Sequence, residues 1–209
     1  MRPQFGPSGN RDLRGVIPRA ADALFAGIAD SEELDEVTIK CSFCEIYMEG
    51  IRDLLQPKSK GLKVRELPSG EVYVQNLSEE YVSSAADIMS LLSAGEKNRS
   101  TAATEMNEVS SRSHSVLIVL VSMKLKDGSA RVGKLNLADL AGSERIERTN
   151  ASGNTLEEAK KINQSLSALG NCINALTDTK RTHTPFRDSV LTFLLKVGLK
   201  DRGGEEQSG

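Results

Sequence analysis

The sequence predicts an α/β domain in which a sheet of apolar strands is covered by helices on both faces. Three observations carry this. The apolar runs 116–121 and 132–140 are joined through Lys126-Asp127-Gly128-Ser129, and Asp-Gly between alternating hydrophobics is a strong hairpin signal. Residues 36–47 alternate Val37, Ile39, Cys41 and Phe43 with Lys40, Ser42 and Cys44, the period of a strand. An apolar stripe of Leu156, Ala159, Ile162, Leu166, Leu169, Ile173 and Leu176 then runs over about six turns of helix.

The bulk numbers agree with one soluble domain. The chain has 209 residues, 38% of them hydrophobic and 27% charged, enough for a sizeable core. A net charge of -2 gives no global attraction to nucleic acid, so a polyanionic partner would have to meet a local basic face. The three cysteines are an odd set without the second pair a zinc site needs, which points to reduced thiols inside a cell. On a strand, Cys41 and Cys44 would face opposite ways. No stretch approaches about 18 consecutive apolar residues, so no membrane span is expected and the expected location is the cytoplasm.

Taken in order, residues 1–13 mix Pro, Gly, Ser and Arg without periodicity and read as a disordered start. A helix is expected around Pro18, with Ile17, Ala21, Leu24, Phe25 and Ile28 on one face and Asp30-Ser31 closing it. After the 36–47 strand a helical turn is expected over 51–55. Residues 62–65 and 72–74, separated by Pro68-Ser69-Gly70, read as a small peripheral hairpin. Ser83 or Ser84 can cap a helix through Ile88 and Leu92 that Gly95 would end, with 98–106 a polar approach to the next loop. Residues 143–154 read as a mobile loop before the long helix, whose other face carries Glu157, Lys160, Lys161, Gln164 and Asn171. A polar loop at 177–185 leads into an amphipathic helix over 187–199, and 201–209 reads as a disordered tail.

A hairpin brings its outer ends together, so Ser110, Ser111 and Arg112 should lie close to Asp139, Gly142 and Glu144. An apolar strand ending in Asp139 is one way to present a carboxylate to magnesium at a sheet edge. Gly142 lets backbone approach a phosphate, and serine hydroxyls can serve magnesium or phosphate as hard oxygens. Arg112 and Glu144 could latch the two loops together. Each feature also has a plain structural reading. Asp139 suits a turn or cap, the Ser-Ser-Arg-Ser run suits a polar loop, and His114 suits a hydrogen-bonded core histidine. Lys160, Lys161, Lys180, Arg181 and Arg187, interleaved with acidic residues, suit a solvated face.

Asn107-Glu-Val-Ser-Ser-Arg-Ser-His114 and Asp139-Leu-Ala-Gly-Ser-Glu144 resemble the switch I and switch II motifs of the kinesin motor domain. Arg14 to Arg19, Glu45 to Leu55, Ile162 to Gly170 and Thr184 to Ser189 also resemble kinesin segments in the family's own order, over residues 14 to 200. Val72 to Ser84 most resembles conventional kinesins. The resemblance implies a P-loop NTPase-like kinesin motor fold, a mixed central sheet flanked by helices and incomplete at both ends. It implies ATP and magnesium as cofactors, with Asn107, Ser110, Ser111, Asp139 and Gly142 binding them. Ser111 would contact magnesium and the γ-phosphate, Ser110 would help hold the attacking water, and Asp139 would reach magnesium through water. The Gly142 amide would sense the γ-phosphate, and Arg112 with Glu144 would close the latch. Microtubules would be the partner, met by the long helix and the 177–187 region through Lys160, Lys161, Arg181 and Arg187, with the cytoskeleton as location.

The chain departs from the family's pattern in two respects. It contains no Gly-x-x-x-x-Gly-Lys-Ser/Thr loop, whose amides and lysine grip the phosphates. Val190 and Phe193 also stand where the family commonly carries basic residues. The sequence therefore implies the switch part of an ATP-driven microtubule motor that does not turn over ATP alone. The alternative is an inactive pseudo-motor that binds microtubules or another protein; a signalling nucleotide switch of another family fits the long basic helix less well.

Overall fold

The computed structural model describes residues 15–105, 112–142 and 154–200, without the side chains of 102–105, 154–159 and 200. The expected start at 1–13, loop at 143–153 and tail at 201–209 lie outside the described residues. The described order is α1 (Val16–Ala29), β1 (Leu34–Tyr47), β2 (Gly50–Asp53), β3 (Lys63–Glu66), β4 (Val72–Gln75), β5 (Glu80–Val82), α2 (Ala85–Glu105), β6 (His114–Leu125), β7 (Ala130–Asp139), α3 (Asn154–Thr177), a 3₁₀ turn (Phe186–Asp188), α4 (Val190–Leu194) and α5 (Lys196–Lys200).

The main sheet runs β2-β1-β6-β7, with β5 also paired to β1, and every described strand pair is antiparallel. The hairpin expected at 116–140 is β6–β7. Gly128 takes a φ of +85° at its turn, a conformation open to glycine at no cost. Its register sets Ser115 opposite Asp139, so the two loops leave the same end of the sheet. The outer edge of β7 has no strand partner among the described residues, and Val132 and Leu135 are exposed on it. An apolar groove of about 650 Å³ lies beside it, between β7, α3 and α5.

Alternation along β1 and β6 builds two cores. Ile39, Cys41, Phe43, Leu117, Val119 and Val121 pack under α1 and α2. Cys44, Ile46, Val116 and Ile118 face the β3–β4 hairpin, α3 and α4 on the other side. Cys41 and Cys44 thus do point to opposite faces. Burial pushes the Cys41 thiol up to about 11, and burial with the nearby Asp53 and Glu45 charges pushes Cys44 up to about 12.

Several local expectations are corrected. Residues 51–55 form no helical turn: Met48 and Glu49 take positive φ, and the chain returns as β2 against β1. The fully buried Asp53 then holds the following bend, its carboxylate accepting from the Leu55, Gln56 and Ser78 amides at 2.9 Å each. The β3–β4 hairpin is less peripheral than its composition suggested, because Val72 and Val74 are buried. Gly95 does not end α2, which runs on to Glu105. A Cβ there would sit 2.2 Å from the Phe43 ring, so the glycine permits close packing of the helix on the sheet. The capping expectation holds: the Asp87 amide donates to Ser84 Oγ at 3.2 Å and the Ser83 amide to Asp87 at 2.9 Å.

The buried face of α3 is rotated from the large-residue stripe. Ile162, Ser165, Ala168, Cys172 and Ala175 are buried, whereas Ile173 is 46% exposed. Small side chains let the helix approach its neighbours, and a stripe chosen by size overlooks them. The helix expected over 187–199 is three short pieces. Ser189 is extended, at φ -147° and ψ 158°, and forms a capping box with Thr192 that starts α4 afresh.

Candidate functional site

The site lies where β6 begins and β7 ends. Of the residues the sequence singled out, Asn107, Ser110, Ser111 and Glu144 lie outside the described residues. Arg112 is half-buried and leads into β6, Asp139 closes β7, and Gly142 is half-buried three residues further on. Ser115 paired with Asp139 sets the start of β6 beside the end of β7; the expected closeness of Ser110 and Ser111 to Glu144 lies outside the described residues.

Beneath them is a buried ion network that motif reading missed. Glu45 on β1 and Arg99 on α2 are 1% and 5% exposed. Arg99 Nε donates to Glu45 Oε1 at 3.3 Å, and its Nη2 donates to the Ser113 carbonyl at 2.9 Å. Its Nη1 donates to Ser115 Oγ at 3.3 Å and lies 3.6 Å from Asp139 Oδ2. Ser113 Oγ donates to Glu45 Oε1 at 2.6 Å, and Arg52 on β2 pairs with the other Glu45 oxygen. One guanidinium therefore joins the helix before the first loop, the strand after it, and the carboxylate at the start of the second. A planar fork can do this where a lysine could not. A charged pair 54 residues apart gives no local signal; only the presence of Glu45 in a strand with buried neighbours hints at it.

The second joint is His114, 3% exposed. Its Nδ1 lies 3.0 Å from the Ala141 amide, and its Nε2 lies 2.8 Å from Ser165 Oγ on α3. Burial, then the Arg99 charge, hold its pKa below the usual histidine value against the opposing pull of Asp139.

The Asp139 side chain itself is 67% exposed. It is a hard oxygen donor, open to solvent and oriented by Arg99, which suits a magnesium ion reached through water. Among the described residues no group of three or more His, Cys, Asp and Glu could hold a metal, so a cation here would draw its other oxygens from hydroxyls, water and phosphate. The sequence 128–134 has the glycine and lysine spacing of a phosphate loop but is followed by Leu135. It lies on the hairpin turn and β7, and Lys134 donates to the Val72 carbonyl, so it is no phosphate cradle.

The four basic residues expected on a partner face are all exposed: Lys160 and Lys161 on α3, Arg181 beyond it, and Arg187 in the 3₁₀ turn. Arg181 lies 3.6 Å from Asp178, and Arg187 pairs with Glu66 at 2.9 Å. Phe193 holds the Arg187 guanidinium 4.8 Å above its ring, a use for an aromatic where a basic residue was expected.

The described strands form an antiparallel sheet with helices on both faces, and the start of β6 and the end of β7 meet at one end of it over a shared ion network, the arrangement of an α/β protein with its site at a sheet end. The comparisons then assign the family. The kinesin motor domain model matches residues 5–205, and the chain belongs to the kinesin family. It is 57% identical over 192 residues to kinesin-related protein 5 of Dictyostelium discoideum, covering 91% of this chain and 19% of that protein. It is 51% identical over 191 residues to the kinesin heavy chain of Botryotinia fuckeliana, covering 91% of this chain and 22% of that one. A solved fast kinesin, described in terms of its ATPase mechanism and interactions with microtubules, superposes with a TM-score of 0.77 at 50% identity over 88% of this chain and 52% of its own. The Kar3Vik1 motor and motor homology structure gives 0.78 at 35% identity over 89% and 49%. The chain thus spans about a fifth of these curated relatives and half of these solved chains. Among the described residues, no helix is long and apolar enough to cross a membrane.

Proposed function

We propose that the chain is the switch and filament-facing portion of an ATP-dependent microtubule motor domain of the cytoplasmic cytoskeleton. The observation that carries this is the joint at the sheet end: Arg99 ties both switch-bearing strands to α2, and His114 ties the second switch to α3. Asp139, Ser110 and Ser111 would hold magnesium together with the phosphates of ATP, with Asn107 in the nucleotide-binding set. Bound there, the ion would neutralise charge on the phosphoryl group being transferred. Ser110 would help hold the attacking water, the Gly142 amide would donate to the γ-phosphate, and Arg112 with Glu144 would close over it. Arg99 would keep the Asp139 carboxylate aimed while the loops move. Lys160, Lys161, Arg181 and Arg187 would meet the acidic surface of the microtubule.

The β7 edge, which has no strand partner among the described residues and carries apolar Val132 and Leu135, supports placing further strands of a motor domain there, with a phosphate-gripping loop that these 209 residues do not contain. Steady-state ATPase of the isolated chain, with and without microtubules, tests the division of labour. The expected result is no microtubule-stimulated turnover at a motor-like rate, together with microtubule binding in cosedimentation. Robust stimulated turnover, or no binding, would overturn it.

A further inference from the structure

Four polar groups from three places in the chain, the start of β6, the segment after β7 and one turn of α3, line up through His114. Ser165 Oγ lies 2.8 Å from the Ile162 carbonyl, to which only its hydroxyl hydrogen can donate. Its lone pair is then left for His114 Nε2, which must carry the ring proton. Nδ1, unprotonated, accepts from the Ala141 amide at 3.0 Å. The chain of donors therefore has one direction: Ala141 N–H to His114, His114 to Ser165, Ser165 to the Ile162 carbonyl. Aligned donors of this kind polarise one another. The ring is anchored meanwhile, since His114 pairs with Ile46 of the buried β1 strand and is 3% exposed.

We propose that His114 is a positioning residue that fixes the Ala141 amide, and with it the segment between Asp139 and Gly142, to α3 through Ser165, so that movement of either is passed to the other. This rests on the functional reading above, in which that segment senses the γ-phosphate and α3 faces the filament. The charges that reach the ring are those of Arg99 and Asp139. Arg99 of α2 donates to Glu45, Ser113 and Ser115, and Asp139 of β7 lies beside Arg99. From α3 the ring meets a neutral hydroxyl.

The test uses three single variants of the chain, one double variant and residue-resolved amide exchange. Ser165→Ala removes the far end of the line without touching Ala141. His114→Asn puts an amide oxygen near the Nδ1 position and gives up the reach to Ser165, whereas His114→Gln reaches toward Ser165 and gives up the acceptor for Ala141. Exchange of the Ala141 amide is expected to rise about threefold in S165A and about tenfold in H114Q, and to stay within about threefold of wild type in H114N. In the H114N background, S165A should add nothing. Equal Ala141 exchange in S165A and wild type, or equal exchange in H114N and H114Q, overturns the proposal and leaves His114 as a core histidine. Microtubules added to wild-type chain should change Ala141 exchange, and that change should be lost in S165A; a change retained in S165A overturns the transmission. If wild-type chain fails to cosediment, the functional reading fails, while the exchange series without microtubules still decides the linkage.

Discussion

Arg99→Ala is the perturbation that most directly probes how β6 and β7 are held together at the candidate site. The guanidinium is 5% exposed and makes contacts to Glu45, Ser113, Ser115 and Asp139. Truncation leaves the Glu45 carboxylate buried, still paired with Arg52 and still accepting from Ser113, so it is weakened rather than abandoned. It also strips the Ser113 carbonyl of its donor. Breaking a buried pair costs about 3–5 kcal/mol, and the remaining partners of Glu45 place this case at about 3 kcal/mol. For a domain of this size that is a loss of about 6–12 °C in Tm. Arg99→Lys keeps the charge but not the fork, and should cost about half as much. Urea unfolding monitored by circular dichroism measures both. A loss under about 1 kcal/mol for R99A, the cost of an exposed pair, would mean that the buried guanidinium does not hold the strands together.

Further outcomes follow from single sites. Gly95→Ala should destabilise by about 1–3 kcal/mol despite better helix propensity, because its Cβ would meet the Phe43 ring at 2.2 Å. Gly170→Ala, in the middle of α3 with nothing within 4 Å, should stabilise by about 0.5–1 kcal/mol, and urea unfolding of the pair checks the contrast. For His114 the folded value is depressed below 6.5, so between the two values the unfolded chain binds more protons. Stability should therefore fall as pH drops below about 6.5, and H114N should show a smaller slope in that window than wild type. The buried Cys41 and Cys44 thiols, pushed up to about 11 and about 12, should resist thiol reagents at neutral pH until the chain is unfolded. Glu66→Gln should release Arg187 and Lys196, which both pair with it, and tighten microtubule binding at low salt in cosedimentation.

What could be read from the sequence was what local chemistry determines. The β6–β7 hairpin is legible because Asp127-Gly128 supplies its own turn, whereas the register that sets Ser115 opposite Asp139 comes from the structure. The Ser84 cap and the exposed Lys160 and Lys161 were legible for the same reason. Where contacts across the chain decide, reading failed. Gly95 looks like a helix end until Phe43 is known to lie against it. Residues 51–55 look helical until Met48 and Glu49 turn the chain back and Asp53 gathers the Ser78 amide. The large residues of α3 suggest one buried stripe, whereas Ser165, Ala168 and Cys172 face inward. The site divided in the same way. Its motif residues could be named by resemblance, but the Glu45–Arg99 network and the His114–Ser165 link join residues 54 and 51 positions apart.

Salt-dependent cosedimentation of the chain with microtubules, wild type against K160E/K161E/R181E, tests most directly whether α3 and the loop after it form a filament-facing surface. Binding is expected to weaken with salt and to be lost in the triple variant while its urea unfolding curve stays within about 0.5 kcal/mol of wild type. Binding by the triple variant equal to that of wild type across the salt series would contradict it.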